Sequence, residues 1–255
     1  MNKIRIVNNE IIPFDSSNDL KIYNNEITFL NNGNYYIEYI DSDNITITIN
    51  VLENVCIHLF EYSTCLDVVI NNIYNLNKNS SLILNKFYAN NSTIESININ
   101  LNGEKANIKY NFSSISSNDD KYSINIYHLE KNTSSDIFNR TVAKNNSSNT
   151  FDINSFVENG IKDCFLNQQT KIITLGDSNN RINPNMFIGE NSTTAVHSST
   201  IGSIDRENLF YLTSRGIHHK EAVNLIIKGM IVSNINPDME TKEKILNILE
   251  KIGGE

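Results

Sequence analysis

Over the first two thirds of the chain, apolar residues occupy every second position in one short run after another. In Asn44–Val51 they are Ile45, Ile47, Ile49 and Val51. The same spacing returns in Val55, Ile57 and Leu59, in Leu66, Val68 and Ile70, and in Leu82 and Leu84. It continues through Ile97, Ile99 and Leu101, through Ala106, Ile108 and Tyr110, and through Ile124 and Ile126. A period of two places one apolar row on one face, which predicts half-buried strands. Clusters such as Asn31–Asn34, Asn77–Ser81 and Ser116–Asp120 separate the runs. Asn and Gly accept positive φ there, and Ser and Asp side chains bond nearby backbone, so these clusters read as turns. The rows recur at roughly ten-residue intervals, which suits a sandwich, a barrel or a β-solenoid. No fixed-length repeat is visible, so periodicity leaves all three open. Asp152–Asn159 fits neither strand nor helix cleanly.

After Ile204 the period changes. Leu209 and Leu212 sit three apart beside Phe210 and Tyr211, with Asp205 placed as an N-cap and Gly216 as a C′ residue. A second helix is predicted over His219–Lys228, with Ala222, Leu225 and Ile226 on its apolar face and Gly229 ending it. A third is predicted over Thr241–Lys251, with Ile245, Ile248 and Leu249 as its stripe. The expected architecture is a mainly β body over residues 1–204 followed by a small α-helical region over 205–255.

Composition removes several classes. The 255 residues carry a net charge of −8 without a Lys/Arg stripe, which argues against nucleic acid. No run approaches the roughly 20 apolar residues of a membrane span, and the N-terminus does not read as a signal peptide, so a cytoplasmic protein is expected. Cys56, Cys65 and Cys164 are too few and too scattered for a disulfide framework, and no CxxC pair suggests a preformed metal or cluster site. No GxxxxGK[ST] loop cradles a phosphate. Asn is very frequent and Trp is absent, which reads as a genome-level bias.

The tail is more specific. Leu209, Phe210, Tyr211 and Leu212, then Ser214, Arg215 and Gly216, then Glu221 and Ala222, then Gly229 and Met230, resemble the C-terminal signature of the SufB/SufD family. Upstream, His197 with Thr200, Ile201 and Gly202, Gln168 with Ile172–Asp177, Pro184, and His128 with Thr133 and Ser135 resemble further family elements. The resemblance runs from Tyr122 to Ile231, and the chain looks short for the family. It implies a right-handed parallel β-helix flanked by helices. It also implies a non-catalytic, cytoplasmic scaffold subunit of the SUF iron–sulfur cluster assembly system. Such a subunit pairs with a SufB-like subunit or with itself and docks the SufC-type ABC ATPase, which carries the ATPase activity. Sulfur comes from a cysteine desulfurase. No stably bound cofactor is implied, only a transient iron–sulfur cluster within the complex.

The resemblance also sets the candidate residues. In the SufD branch a histidine at the place of His197 lies at the subunit interface, and imidazole can ligate iron; its plainer role is to hydrogen-bond a turn. In the SufB branch the next residue is Glu, and a Cys precedes the apolar run. Here Ser198 and Thr170 stand there, and a hydroxyl does not replace a thiolate as sulfur acceptor, so the chain is more SufD-like. Asp205, Leu209, Phe210, Tyr211, Ser214, Arg215, Gly216, Glu221 and Ala222 are the expected SufC-docking residues, against the plainer role of packing on the β body. Cys164 is expected to be a small buried hydrophobe. Cys56 and Cys65 are expected to face a core, and with His58 and Glu61 they are a weak metal signal. His218 and His219 diverge on a helix and read as solvated. The alternative from another class is a β-solenoid carbohydrate-active or carbohydrate-binding module, which would gather acids or aromatics on one exposed face.

Overall fold

A computed structural model of the chain describes residues 2–13 and 18–252. Of the three architectures left open by the alternation, it is a parallel β-solenoid of about six turns. The chain begins with two hairpins, β1 (Asn2–Val7) with β2 (Glu10–Pro13) and β3 (Leu20–Tyr23) with β4 (Glu26–Phe29). Strands then alternate between two sheets. Sheet A continues from β1 and β2 through β5 (Gly33–Ile40), β7 (Cys56–Ser63), β9 (Ser81–Tyr88), β11 (Asn107–Ser116), β13 (Ser134–Ala143), β15 (Phe165–Thr174) and β17 (Thr194–Gly202). Sheet B continues from β3 and β4 through β6 (Asn44–Val51), β8 (Asp67–Leu76), β10 (Ser92–Leu101), β12 (Asp119–His128), β14 (Ser148–Val157) and β16 (Asn179–Ile188).

Each strand stacks on the one a coil earlier. Cys56 lies opposite Ser81, a coil of 25 residues, whereas Ser134 lies opposite Phe165, a coil of 31. This lengthening along the axis is why no fixed repeat is legible. The inward rows form one continuous core, as in Leu59–Leu84–Tyr110–Ile137 of sheet A and Ile49–Tyr74–Ile99–Ile126 of sheet B. Burying each large aliphatic side chain contributes ~1.5–3 kcal/mol, so the stacked rows dominate the stability. Two readings change. Leu66 is 80% exposed at a corner, outside the inward row that Val68 and Ile70 begin. The ambiguous segment Asp152–Asn159 is the second half of β14 as far as Val157 and then enters a turn.

Asparagine has a structural role here beyond compositional bias. Asn50, Asn75 and Asn100 form one amide ladder, in which Asn75 donates to Asn50 Oδ1 at 2.9 Å and Asn100 to Asn75 Oδ1 at 2.8 Å. Asn98, Asn125, Asn154 and Asn185 form a second at 2.9–3.1 Å. At the corners Asn54, Asn79 and Asn132 take φ near +60°, in line with Lys105 and Asp163, and each donates its N–H to the next coil's corner. Asn tolerates that left-handed backbone better than other non-glycine residues. At another corner Gly176 has φ +88°, and the adjacent Asp177 N–H donates to Asn145 Oδ1 at 2.9 Å.

Three helices follow: α1 (Arg206–Ser214), α2 (His219–Ile235) and α3 (Met239–Ile252). α2 runs through Gly229 instead of stopping there. Its buried face is Ala222, Ile227, Ile231 and Ile235, while Leu225 is exposed. A mid-helix glycine costs ~1 kcal/mol, and the isoleucine stripe beyond it outweighs that cost by packing. With Ile245 and Leu249 of α3, this stripe covers Tyr36, Phe60, Tyr62, Phe87, Ile115 and Val142 on the outer face of sheet A. Asn234 fixes the register by donating to the carbonyls of Phe112 at 2.8 Å and Phe138 at 3.2 Å.

Candidate functional site

The two ends of the solenoid differ. The first is finished by hairpins: Asn8 and Asn9 make a two-residue turn with φ of 50° and 70°, both left-handed as a tight hairpin requires. The other end is open. Among the described residues no strand pairs with the free edges of β16 and β17, of 10 and 9 residues. Phe187 is 54% and Ile201 45% exposed there.

His197 lies in this open end. It stands opposite Gln168, which stands opposite Ile137, itself opposite Tyr110; all share the inward face. The imidazole is therefore at the mouth of the bore, exposed because no coil covers it. Ser198 alternates to the outer face. Gln168 is buried and donates to Ser155 Oγ at 2.8 Å and the Asn185 carbonyl at 3.3 Å. Thr170 is buried on the inner face and accepts from Asn139 Nδ2 at 3.0 Å.

The His128, Thr133 and Ser135 element proves to be one cluster. The ring bridges Thr133 Oγ1 at 2.8 Å and Ser135 Oγ at 3.0 Å, and burial pushes its pKa down to about 4, so it is neutral. Thr133 Oγ1 also touches Cys164 Sγ at 3.3 Å. Cys164 is buried, with the carbonyls of Glu130, Ile161 and Lys162 within 3.7–3.9 Å. The residue packs with Val157 and Leu166 as a small buried side chain.

Cys56 departs from expectation. It alternates with the core residues Ile57 and Leu59, so it faces outward with His58, while Cys65 is buried. Glu61 points into the bore. Among the described residues no three His, Cys, Asp or Glu side chains converge as a metal site. Glu61 instead joins a buried network that the alternation did not reveal. Lys86 Nζ lies 3.3 Å from Glu61 and also contacts Glu95, all fully buried. Tyr39 and Tyr74 donate to Glu61 at 3.0 and 2.6 Å, and Tyr88 donates to Glu95 at 3.0 Å. Desolvation raises the Glu95 pKa.

On α1, Asp205 caps the N-terminus by accepting from the Glu207 N–H at 2.8 Å. Gly216, at φ +87°, ends the helix with a 3.0 Å bond to the Thr213 carbonyl. α1 packs on α2, yet none of its residues is fully buried. Leu209 is half-buried; Phe210 is 73% and Tyr211 58% exposed. Arg215 lies over the Tyr211 ring at 5.2 Å, and Ser214 Oγ donates to the Tyr211 carbonyl at 2.8 Å. Glu221 is exposed in the first turn of α2, whereas Ala222 is fully buried. On the outer face of sheet B, Tyr127, Phe156 and Phe187 stack ring on ring at 4.9 Å spacing. Their faces are largely occupied by one another, which leaves little platform for a sugar.

Fold and site together define a β-solenoid with one finished end, one open end and a helical flank. Residues 66–230 match the family model "SUF system FeS cluster assembly, SufBD core domain", and the chain belongs to that family. The match reaches upstream of Tyr122, into coils that carry no recognisable motif. The chain is also similar to the "Iron-sulfur cluster assembly protein SufD" of Bacillus subtilis (strain 168), with 27% identity over 135 residues, 52% of this chain and 31% of that protein. It thus spans about a third of that relative's length. No helix among the described residues is long and apolar enough to cross a membrane.

Proposed function

We propose that this chain is a SufD-like scaffold subunit of cytoplasmic iron–sulfur cluster assembly, without catalytic chemistry of its own. The observation that carries this reading is the open end of the solenoid. Two unpaired parallel edges flank a mouth that presents His197, while the opposite end is closed. Exposed edges invite pairing, and a SufB-like subunit or a second copy would continue both sheets. The transient cluster is cargo. His197 offers it one imidazole, and the remaining ligands would come from the partner, because no set of ligands converges among the described residues. Thr170 in place of a cysteine fits a subunit that supports sulfur transfer without accepting sulfur.

The helical flank supports the second half of the reading. α1 leaves Phe210 and Tyr211 outward, with Arg215 over the Tyr211 ring, and aromatic and arginine side chains are the usual hot-spot anchors. The partner proposed for this surface is a SufC-type ABC ATPase, which would bring the ATPase activity. Co-purification with SufC should be lost in the double variant Arg215→Glu with Tyr211→Ala; an intact complex would remove the docking assignment. Anaerobic reconstitution with the partners and a desulfurase tests the mouth. His197→Ala should form clearly less cluster than wild type, and equal yields would remove His197 from assembly.

A further inference from the structure

Gln168 holds an unmatched group directly beneath His197. Its side-chain nitrogen donates to Ser155 Oγ at 2.8 Å and to the Asn185 carbonyl at 3.3 Å. The second bond fixes the amide orientation, because a flipped amide would set oxygen against a carbonyl oxygen. Gln168 Oε1 is then left buried with no donor, although the residue is only 1% exposed. Buried acceptors are rarely left so. The next side chain on the inner face, one strand toward the mouth, is His197, in register with Gln168. Neighbouring strands lie about 4.8 Å apart, a separation that an amide oxygen and a ring nitrogen can span.

We propose that Gln168 is a positioning residue for His197: with the exposed ring turned toward it, its free amide oxygen accepts the hydrogen of one ring nitrogen and so fixes which nitrogen faces out of the mouth. A neutral imidazole has one N–H and one lone pair. Holding the N–H against Gln168 leaves the lone-pair nitrogen outward, the form that can ligate a metal ion or take a proton. The inference rests on the reading of His197 as the imidazole that the scaffold presents in assembly.

The test is nuclear magnetic resonance of the full chain with ring-labelled ¹⁵N-histidine, at a pH where imidazole is neutral. The His197 signals are identified by their loss in His197→Ala. Wild type should show one dominant tautomer, with one protonated and one bare ring nitrogen. Gln168→Met keeps the volume and removes the acceptor, so its two nitrogen signals should move toward each other as the tautomers mix. An unchanged tautomer ratio in Gln168→Met would overturn the proposal. If that variant does not fold, wild type decides alone: a His197 that exchanges between tautomers like free imidazole refutes it. Reconstitution keeps the two ideas apart. Equal cluster yields from wild type and His197→Ala would remove the role of His197 and leave the tautomer result standing.

Discussion

At inward positions the charged residues Glu61, Lys86 and Glu95 look in sequence like any polar gap between apolar neighbours. In the structure they share one sealed network, with Lys86 as the cation between two carboxyls. Removing one member of a buried ionic cluster strands the others, at a cost of ~3–5 kcal/mol. Lys86→Met should therefore lower the urea midpoint sharply, and adding Glu61→Gln and Glu95→Gln should restore much of it. Asp120 offers a pH-dependent counterpart. It is buried beside Thr93, Ser116 and Tyr122, and desolvation pushes its pKa up to about 7. A folded pKa above the unfolded value of 3.8 means that folding favours the protonated acid. Its stability contribution is full below pH ~4 and is lost as pH rises through about 7, a change of roughly 4 kcal/mol. His128 acts oppositely, because its folded pKa of about 4 lies below 6.5; its contribution is present above 6.5 and is lost as pH falls through about 4. The clean readout is the difference between wild type and Asp120→Asn in urea midpoints from pH 5.5 to 8. Wild type should lose stability relative to the variant across that range, and parallel curves would show that Asp120 does not titrate there. The grouping of His128 with Thr133 and Ser135 was legible beforehand, but these protonation states were not, since they depend on burial inside the bore.

The elements were legible in proportion to how local their causes are. Strands such as Asn44–Val51 follow from alternation, and α1 follows from Asp205 and Gly216, whose capping bonds are in place. What was not local was misread. Gly229 is a stop signal by propensity, but Ile231 and Ile235 lie beyond it and pack on sheet A. Likewise the spacing of α1 predicts an apolar stripe without saying that Phe210 and Tyr211 stay uncovered. Gly229 now yields a sharp expectation. It is exposed, has no left-handed φ, and a Cβ there would meet nothing within 4 Å. Gly229→Ala should raise stability by ~0.5–1 kcal/mol, read as a higher Tm with the same far-ultraviolet dichroism. A loss of stability would mean that the helix needs the glycine backbone at that point.

At the scale of the whole molecule, the asymmetry between the ends sets how the solenoid can associate. The first end is folded back on itself through β1–β2 and β3–β4, so its edges are short strands of 4 residues. The open end carries longer strands whose inward side chains would enter a shared core if another coil were added. Ile201 is the clearest marker, since it stands opposite the fully buried Ile172 yet remains 45% exposed. A lysine there would be solvated in the free chain and would change its stability by no more than ~0.5 kcal/mol. In a paired assembly the same lysine would be an unpaired charge in a new core, which pairing through this end could not accommodate. Ile201→Lys should therefore run as a monomer in light-scattering chromatography, alone and with a SufB-like subunit, under conditions where wild type pairs. Its urea midpoint should match wild type. Retained pairing in a well-folded Ile201→Lys chain would place the interface elsewhere and would leave the mouth at His197 open to solvent within the complex.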